Sequence, residues 1–149
     1  MTETSTRPVV LHSYLAYRDA PAALRFLEEA FGFTTTMQVP DEQGGIAHSE
    51  LRLGDVAVVV FSDYDQYDRP QPKGATVGFG LYISVEQATG VDAFFARAVS
   101  AGASPVWEPA MSEWGNHRCR VRDLEGYEWT FGTHRPGEEV VWSGEDAAP

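Results

Sequence analysis

The sequence predicts an α+β chain made of two tandem β-α-β-β-β units. Two observations carry this prediction. First, an apolar run, a helix-spaced segment closed by glycine and a set of β-favouring segments occur twice in the same order. Gly32 closes the first helical segment and Gly102 closes the second, 70 residues later. Second, residues 114–132 read as strand, tight turn, strand, the last hairpin of such a unit. Asp123-Leu124-Glu125-Gly126 supplies the turn, because Gly126 reaches positive φ at low steric cost. Alternation then puts Tyr127, Trp129 and Phe131 on one face and Glu128 and Thr130 on the other. One of those faces should line whatever cavity the chain holds.

The elements follow in order. Residues 1–8 are polar and read as a disordered arm. Residues 9–17 are apolar and aromatic, a first strand. Asp19 is a natural helix N-cap, and Pro21 suits the first turn. Leu24, Phe26, Leu27, Ala30 and Phe31 recur at helical spacing, with Arg25, Glu28 and Glu29 on the wet side. Strands follow at 33–39, 46–53 and 56–61, ending the first unit, 9–61. Residues 62–76 are polar and too long for a hairpin turn, hence a linker or a flap. The second unit, 77–134, has a strand at 77–85 and a helix at 91–101. Phe94, Phe95, Ala98 and Val99 form the buried stripe of that helix. A short strand at 104–107 precedes the hairpin. Residues 135–149 read as a tail, in which Val140, Val141 and Trp142 are apolar enough to dock.

Composition narrows the function. At 149 residues the chain fits one domain with a sizeable core. No apolar run approaches the ~20 residues of a membrane span, and the N-terminus lacks a signal-peptide core, so the expected location is the cytoplasm. A formal net charge of −11 disfavours nucleic acid and favours, if any charged ligand, a cation. Cys119 is the only cysteine, which removes disulfides and thiolate-rich zinc sites.

Three segments resemble the glyoxalase / bleomycin-resistance / extradiol-dioxygenase superfamily, the vicinal oxygen chelate fold. They are Tyr17-Arg18-Asp19-Ala20-Pro21 running to Phe31-Gly32-Phe33, Ile46-Ala47-His48-Ser49-Glu50-Leu51-Arg52-Leu53-Gly54-Asp55, and Trp114-Gly115 with Val121-Arg122-Asp123-Leu124-Glu125-Gly126. Leu124 stands where the family tends to show proline. The resemblance covers residues 9–134 and implies curved mixed sheets enclosing a cavity. It also implies a homodimer whose subunit interface forms all or part of that cavity. Members that do chemistry hold a divalent metal with His, Gln and Glu from the first and last strand of each unit. Seven residues before Asp19 lies His12, a candidate ligand, but the same step from Gln87 reaches Gly80. Seven after Asp123 lies Thr130, and strand 56–60 has no donor. One histidine does not make a metal site, so no cofactor is expected.

The remaining candidates serve binding. His48 and Glu50 share a strand face, either as an acid/base couple or as a structural hydrogen bond. His117 is a candidate pocket residue, and His134 sits at the edge of the fold. Tyr14, Phe61, Tyr82, Trp107, Trp114 and Trp129 lie on or beside strands expected to face the cavity, where rings suit planar or cationic ligands. Cys119 has no base beside it and reads as a small strand residue. The expected function is metal-independent capture of a small, drug-like organic molecule, aromatic or cationic. In that reading Trp107, Trp114 and Trp129 stack, while His12, His48 and His117 orient. The alternatives are a metal-dependent lyase, isomerase or dioxygenase, and a metal-free enzyme using His48 and Glu50.

Overall fold

The computed structural model describes residues 9–69, 71, 73–74 and 76–138. The arm at 1–8, and Val140, Val141 and Trp142, lie outside the described residues. Ten elements follow one another: β1 (Ser13–Tyr17), α1 (Ala20–Phe31), β2 (Thr34–Pro40), β3 (Ile46–Leu53), β4 (Val56–Ser62), β5 (Gly80–Ser84), α2 (Ala88–Ser100), β6 (Ser104–Met111), β7 (His117–Arg122) and β8 (Glu128–Gly132). They form two four-stranded sheets of identical topology, β1-β4-β3-β2 and β5-β8-β7-β6. In each, the first strand runs parallel to the last and the rest are antiparallel. The chain is therefore α+β with two β-α-β-β-β units, and no closed barrel forms. No helix among the described residues is long and apolar enough to cross a membrane.

Several boundaries differ from the sequence reading, each for a local reason. The first strand starts at Ser13; Val9 and Leu11, more than nine-tenths exposed, have nothing to pair with. β5 likewise starts at Gly80 rather than residue 77. The second helix begins at Ala88, taking in residues placed in its connection. Gly90 permits this, since a Cβ there would sit 2.7 Å from Val85 Cγ1. Val99 is 37 % exposed rather than buried, and the packed stripe is Val91, Phe94, Phe95 and Ala98. β6 runs on to Met111 because irregular pairing absorbs extra residues on either side of Trp107.

One apolar core serves both units. α1 buries Leu24, Phe26, Leu27 and Phe31, as its 3.6-residue period requires. Phe31 then crosses to the second unit, its ring 4.9 Å from Trp129 and 5.2 Å from Phe131. Phe94 of α2 stacks on Phe131 at 4.5 Å. Arg97 of α2 donates to the Glu28 and Glu29 carbonyls at 3.2 and 2.7 Å, capping the end of α1. Gly32 leaves room for this arm, because a Cβ there would meet Arg97 Nη1 at 3.0 Å.

The turn at 123–126 ties the units together. Asp123, 5 % exposed, accepts from Tyr17 Oη at 2.5 Å, Trp129 Nε1 at 3.0 Å and the Glu125 and Tyr127 amides. Glu125 accepts the Arg18 and Asp19 amides at 2.7 and 2.8 Å. Arg69 adds bonds to Glu125 and to the Ala16 carbonyl and lies over the Tyr127 ring, anchoring the chain after β4 at that residue. With the helix-side faces fused into one core, each sheet keeps its other face open.

Candidate functional site

Period-two alternation decides which residues reach the open faces. On the first sheet, Leu15, Leu51, Val58 and Val60 point into the core. Their neighbours Tyr14, His48, Glu50, Arg52, Ala57 and Val59 point the other way. Together with His12 and Thr36 they line a groove of about 510 Å³. Among the described residues this groove is lined by the first sheet and by His12 just before it.

His48 Nε2 donates to Glu50 Oε2 at 2.7 Å inside the groove, and both side chains remain partly exposed. His12 Nδ1 lies 3.1 Å from the Ala57 carbonyl. A carbonyl only accepts, so Nδ1 carries the proton and Nε2 is free. Tyr14 is 69 % exposed and meets Phe61 edge-on at 6.2 Å. A half-open apolar floor with a few oriented polar groups is the usual make-up of a small-molecule site.

The second open face differs in chemistry. β7 reads His117-Arg118-Cys119-Arg120-Val121-Arg122, and Cys119 and Val121 are buried in the core. The three arginines therefore share the open face with Tyr82, Glu128 and Thr130. Trp107 lies under two of them, the Arg120 and Arg118 guanidinium carbons being 3.8 and 4.4 Å from its ring centroid. Glu128, 2 % exposed, accepts from Val77 N at 2.7 Å, Thr76 Oγ1 at 3.1 Å and Arg120 Nη1 at 3.4 Å. Arg120 Nε donates to Thr130 Oγ1 at 2.8 Å. Burial, with Arg118 and Arg122 beside it, pulls the Arg120 pKa down against the opposing pull of Glu128.

Two candidate residues belong elsewhere. Trp129 is fully buried on the core face, its indole N–H spent on Asp123, so it offers no ring to a ligand. His117 lies on the helix side of β7, where Nε2 pairs with Asp92 of α2 at 2.7 Å. Both follow from alternation, since odd-numbered positions of β7 and β8 face the helices. Trp107 reaches the open face, yet its ring is a platform for guanidinium groups. Tyr82 keeps the open face, its hydroxyl donating to the His134 carbonyl at 2.8 Å. Trp114, 44 % exposed, packs edge-on against His134 at 4.9 Å at the end of the same sheet. Arg118, Arg120, Arg122, Thr36 and Arg52 join these on the open faces, although the sequence reading does not single them out. The i, i+2, i+4 arginines of β7 were the signal that would have found three of them.

The positions where the fold family implies a metal do not form a donor set. His12 is held by a carbonyl, Gly80 has no side chain, and Thr130 is engaged by Arg120. Among the described residues no three His, Cys, Asp or Glu side chains converge. The residues present do not fit the group. Cys119 is equally unsuited to chemistry: burial pushes its thiol up to about 11, so little thiolate exists at neutral pH.

Comparison with known proteins agrees with this architecture. An uncharacterized protein of Mycobacterium bovis is 30% identical over 131 residues, 87% of this chain and 85% of its own length. The crystal structure of TioX from Micromonospora sp. ML1 superposes with a TM-score of 0.64 at 30% identity, covering 86% of this chain and all of that one. The fosfomycin resistance protein FosX from Listeria monocytogenes shares the fold at a TM-score of 0.69 and 13% identity, over 88% of this chain and 97% of its own. A family model matches residues 9–131, and the chain accordingly belongs to the Glyoxalase/Bleomycin resistance protein/Dioxygenase superfamily.

Proposed function

We propose that the protein captures a small organic molecule of antibiotic size, without a metal, in a cavity shared between two copies of the chain. The groove on the first sheet carries this reading. Its floor of Ala57, Val59 and Tyr14 suits an apolar or aromatic body, while His12, Thr36, His48, Glu50 and Arg52 supply orienting groups. It lacks an activated nucleophile and a convergent metal donor set. The groove is half open in a single chain, and a second copy laying its arginine-bearing sheet over it closes the cavity. The action is stoichiometric: the molecule is held, not changed.

The test is a titration of tryptophan fluorescence with a panel of antibiotic-sized aromatic compounds, before and after a chelator, with recovery of each compound afterwards. Capture predicts saturable quenching that the chelator leaves unchanged, and recovery of the compound intact. A second reading rests on the 2.7 Å hydrogen bond between His48 and Glu50, which resembles a general base and its orienting partner. That reading predicts a product that appears without metal and disappears in His48→Ala.

A further inference from the structure

We infer that the captured molecule is an organic anion, and that its oxyanion group is held by the arginine row of β7. The inference rests on the capture reading above and names the ligand class for that cavity. Arg118, Arg120 and Arg122 stand at i, i+2 and i+4 on one open face. They are three of only 11 basic residues in a chain with 22 acidic ones. Despite that excess, among the described residues Arg120 alone of the three reaches a carboxylate, Glu128 at 3.4 Å. Among the described residues Arg118 and Arg122 form no ion pair.

Glu128 is one carboxylate against three guanidinium groups. Thr76, Val77 and Arg120 already occupy its oxygens, and it is buried. The face therefore keeps a surplus of positive charge. A second observation points the same way. Among the described residues Arg122 Nε and Nη2 are buried from solvent and have no hydrogen-bond partner. A guanidinium N–H without an acceptor is costly, and a shift of the Arg122 side chain toward a bound oxyanion would give it one. Arg120 is likewise held by burial and like charge in a setting where an anion is welcome.

The geometry is also prepared. Trp107 lies beneath the Arg118 and Arg120 guanidinium groups, and Thr130 fixes Arg120 Nε. Preset planar forks suit the two oxygens of a carboxylate, or a phosphoryl group, better than flexible point charges do. The net charge of −11 taken alone favours a cation. Contact with a ligand is decided by charges within a few ångström, and here those are guanidinium groups. The apolar part of the same molecule then faces Tyr14, Ala57 and Val59 of the first-sheet groove.

The experiment is calorimetric titration of the full chain with four naphthalene probes: 2-naphthoate, 2-naphthyl phosphate, neutral 2-naphthamide and cationic 2-naphthylmethylammonium. An anion site predicts that at least one of the first two binds about tenfold or more tighter than the amide, and that the ammonium is the weakest. The better of the two anions tells carboxylate from phosphoryl. Arg118→Met and Arg122→Met each weaken that anion about tenfold, Arg118→Lys recovers part of the loss, and Arg25→Met on α1 changes nothing. Should Arg122→Met fail to fold, Arg118→Met and Arg118→Lys alone decide. Equal or tighter binding of the amide or the ammonium overturns the anion assignment and leaves the cavity standing. Unchanged anion affinity in the folded methionine variants also overturns it. Binding of none of the four overturns this inference and the capture reading together.

Discussion

Asp123→Ala should lower stability by about 4 kcal/mol, seen as a fall in melting temperature of about 8–16 °C. The carboxylate is the acceptor for four donors: the Tyr17 hydroxyl, the Trp129 indole N–H and two backbone amides. Alanine leaves all four without it, and the Tyr17 and Trp129 donors are buried. The Tyr17 bond also joins the two units, so its loss loosens the junction as well as the turn. Asp123 brings an unusual pH dependence. Burial raises its carboxyl pKa, and the four donors pull it down only in part. A folded-state pKa above the unfolded one means that the folded chain holds this proton more tightly. The resulting stabilisation is fully present below the unfolded value and is lost as pH rises through the raised one. Stability measured by urea unfolding across that window should show this loss in the wild type and lack it in Asp123→Asn, which has nothing to ionise.

Trp129→Ala should cost a similar amount, about 4 kcal/mol, for a different reason. The ring packs 4.9 Å from Phe31 and 5.8 Å from Phe33, so its removal opens a cavity where α1 of the first unit meets the second sheet. It also takes a donor from Asp123. The two substitutions share a contact, so the double variant should fall short of the sum of the singles. Urea unfolding of the four proteins measures all three terms. Trp129→Phe, which keeps most of the packing, should bind ligand as the wild type does, because the residue never reaches an open face. A specific loss of binding in folded Trp129→Phe would contradict that placement.

Much of this architecture is legible in the residues, for physical reasons. The helix at 20–31 carries its N-cap, its period and its terminal glycine in sequence, and all three act locally. The 123–126 turn is legible for the same reason. The second helix is less so, because Gly90 looks like a breaker until Val85 is seen against it. Site residues are harder, since alternation gives two faces without saying which one meets the helices. Trp129 reads as cavity-facing on that ambiguity, although the buried Cys119 and Val121 between the arginines settle it once the core is known. The arginine row is hidden in a net charge of −11, which describes the whole chain and says nothing of one strand. Long-range partners such as Tyr17 with Asp123, 106 residues apart, leave no local trace at all.

The central claim is that two open sheet faces, one from each copy, make one binding cavity. Tyr14→Glu cripples the first face and Arg118→Glu the second. Each variant alone should bind the strongest ligand of the fluorescence panel far more weakly than the wild type. The two variants are then unfolded and refolded together in equal amounts and titrated with that ligand. Half the dimers are mixed, and each mixed dimer carries one cavity with both lesions and one with neither. The shared cavity predicts that binding at wild-type affinity returns at about a quarter of the wild-type number of sites. A mixture that binds no better than the two variants measured apart would contradict it, and would place each site within a single chain.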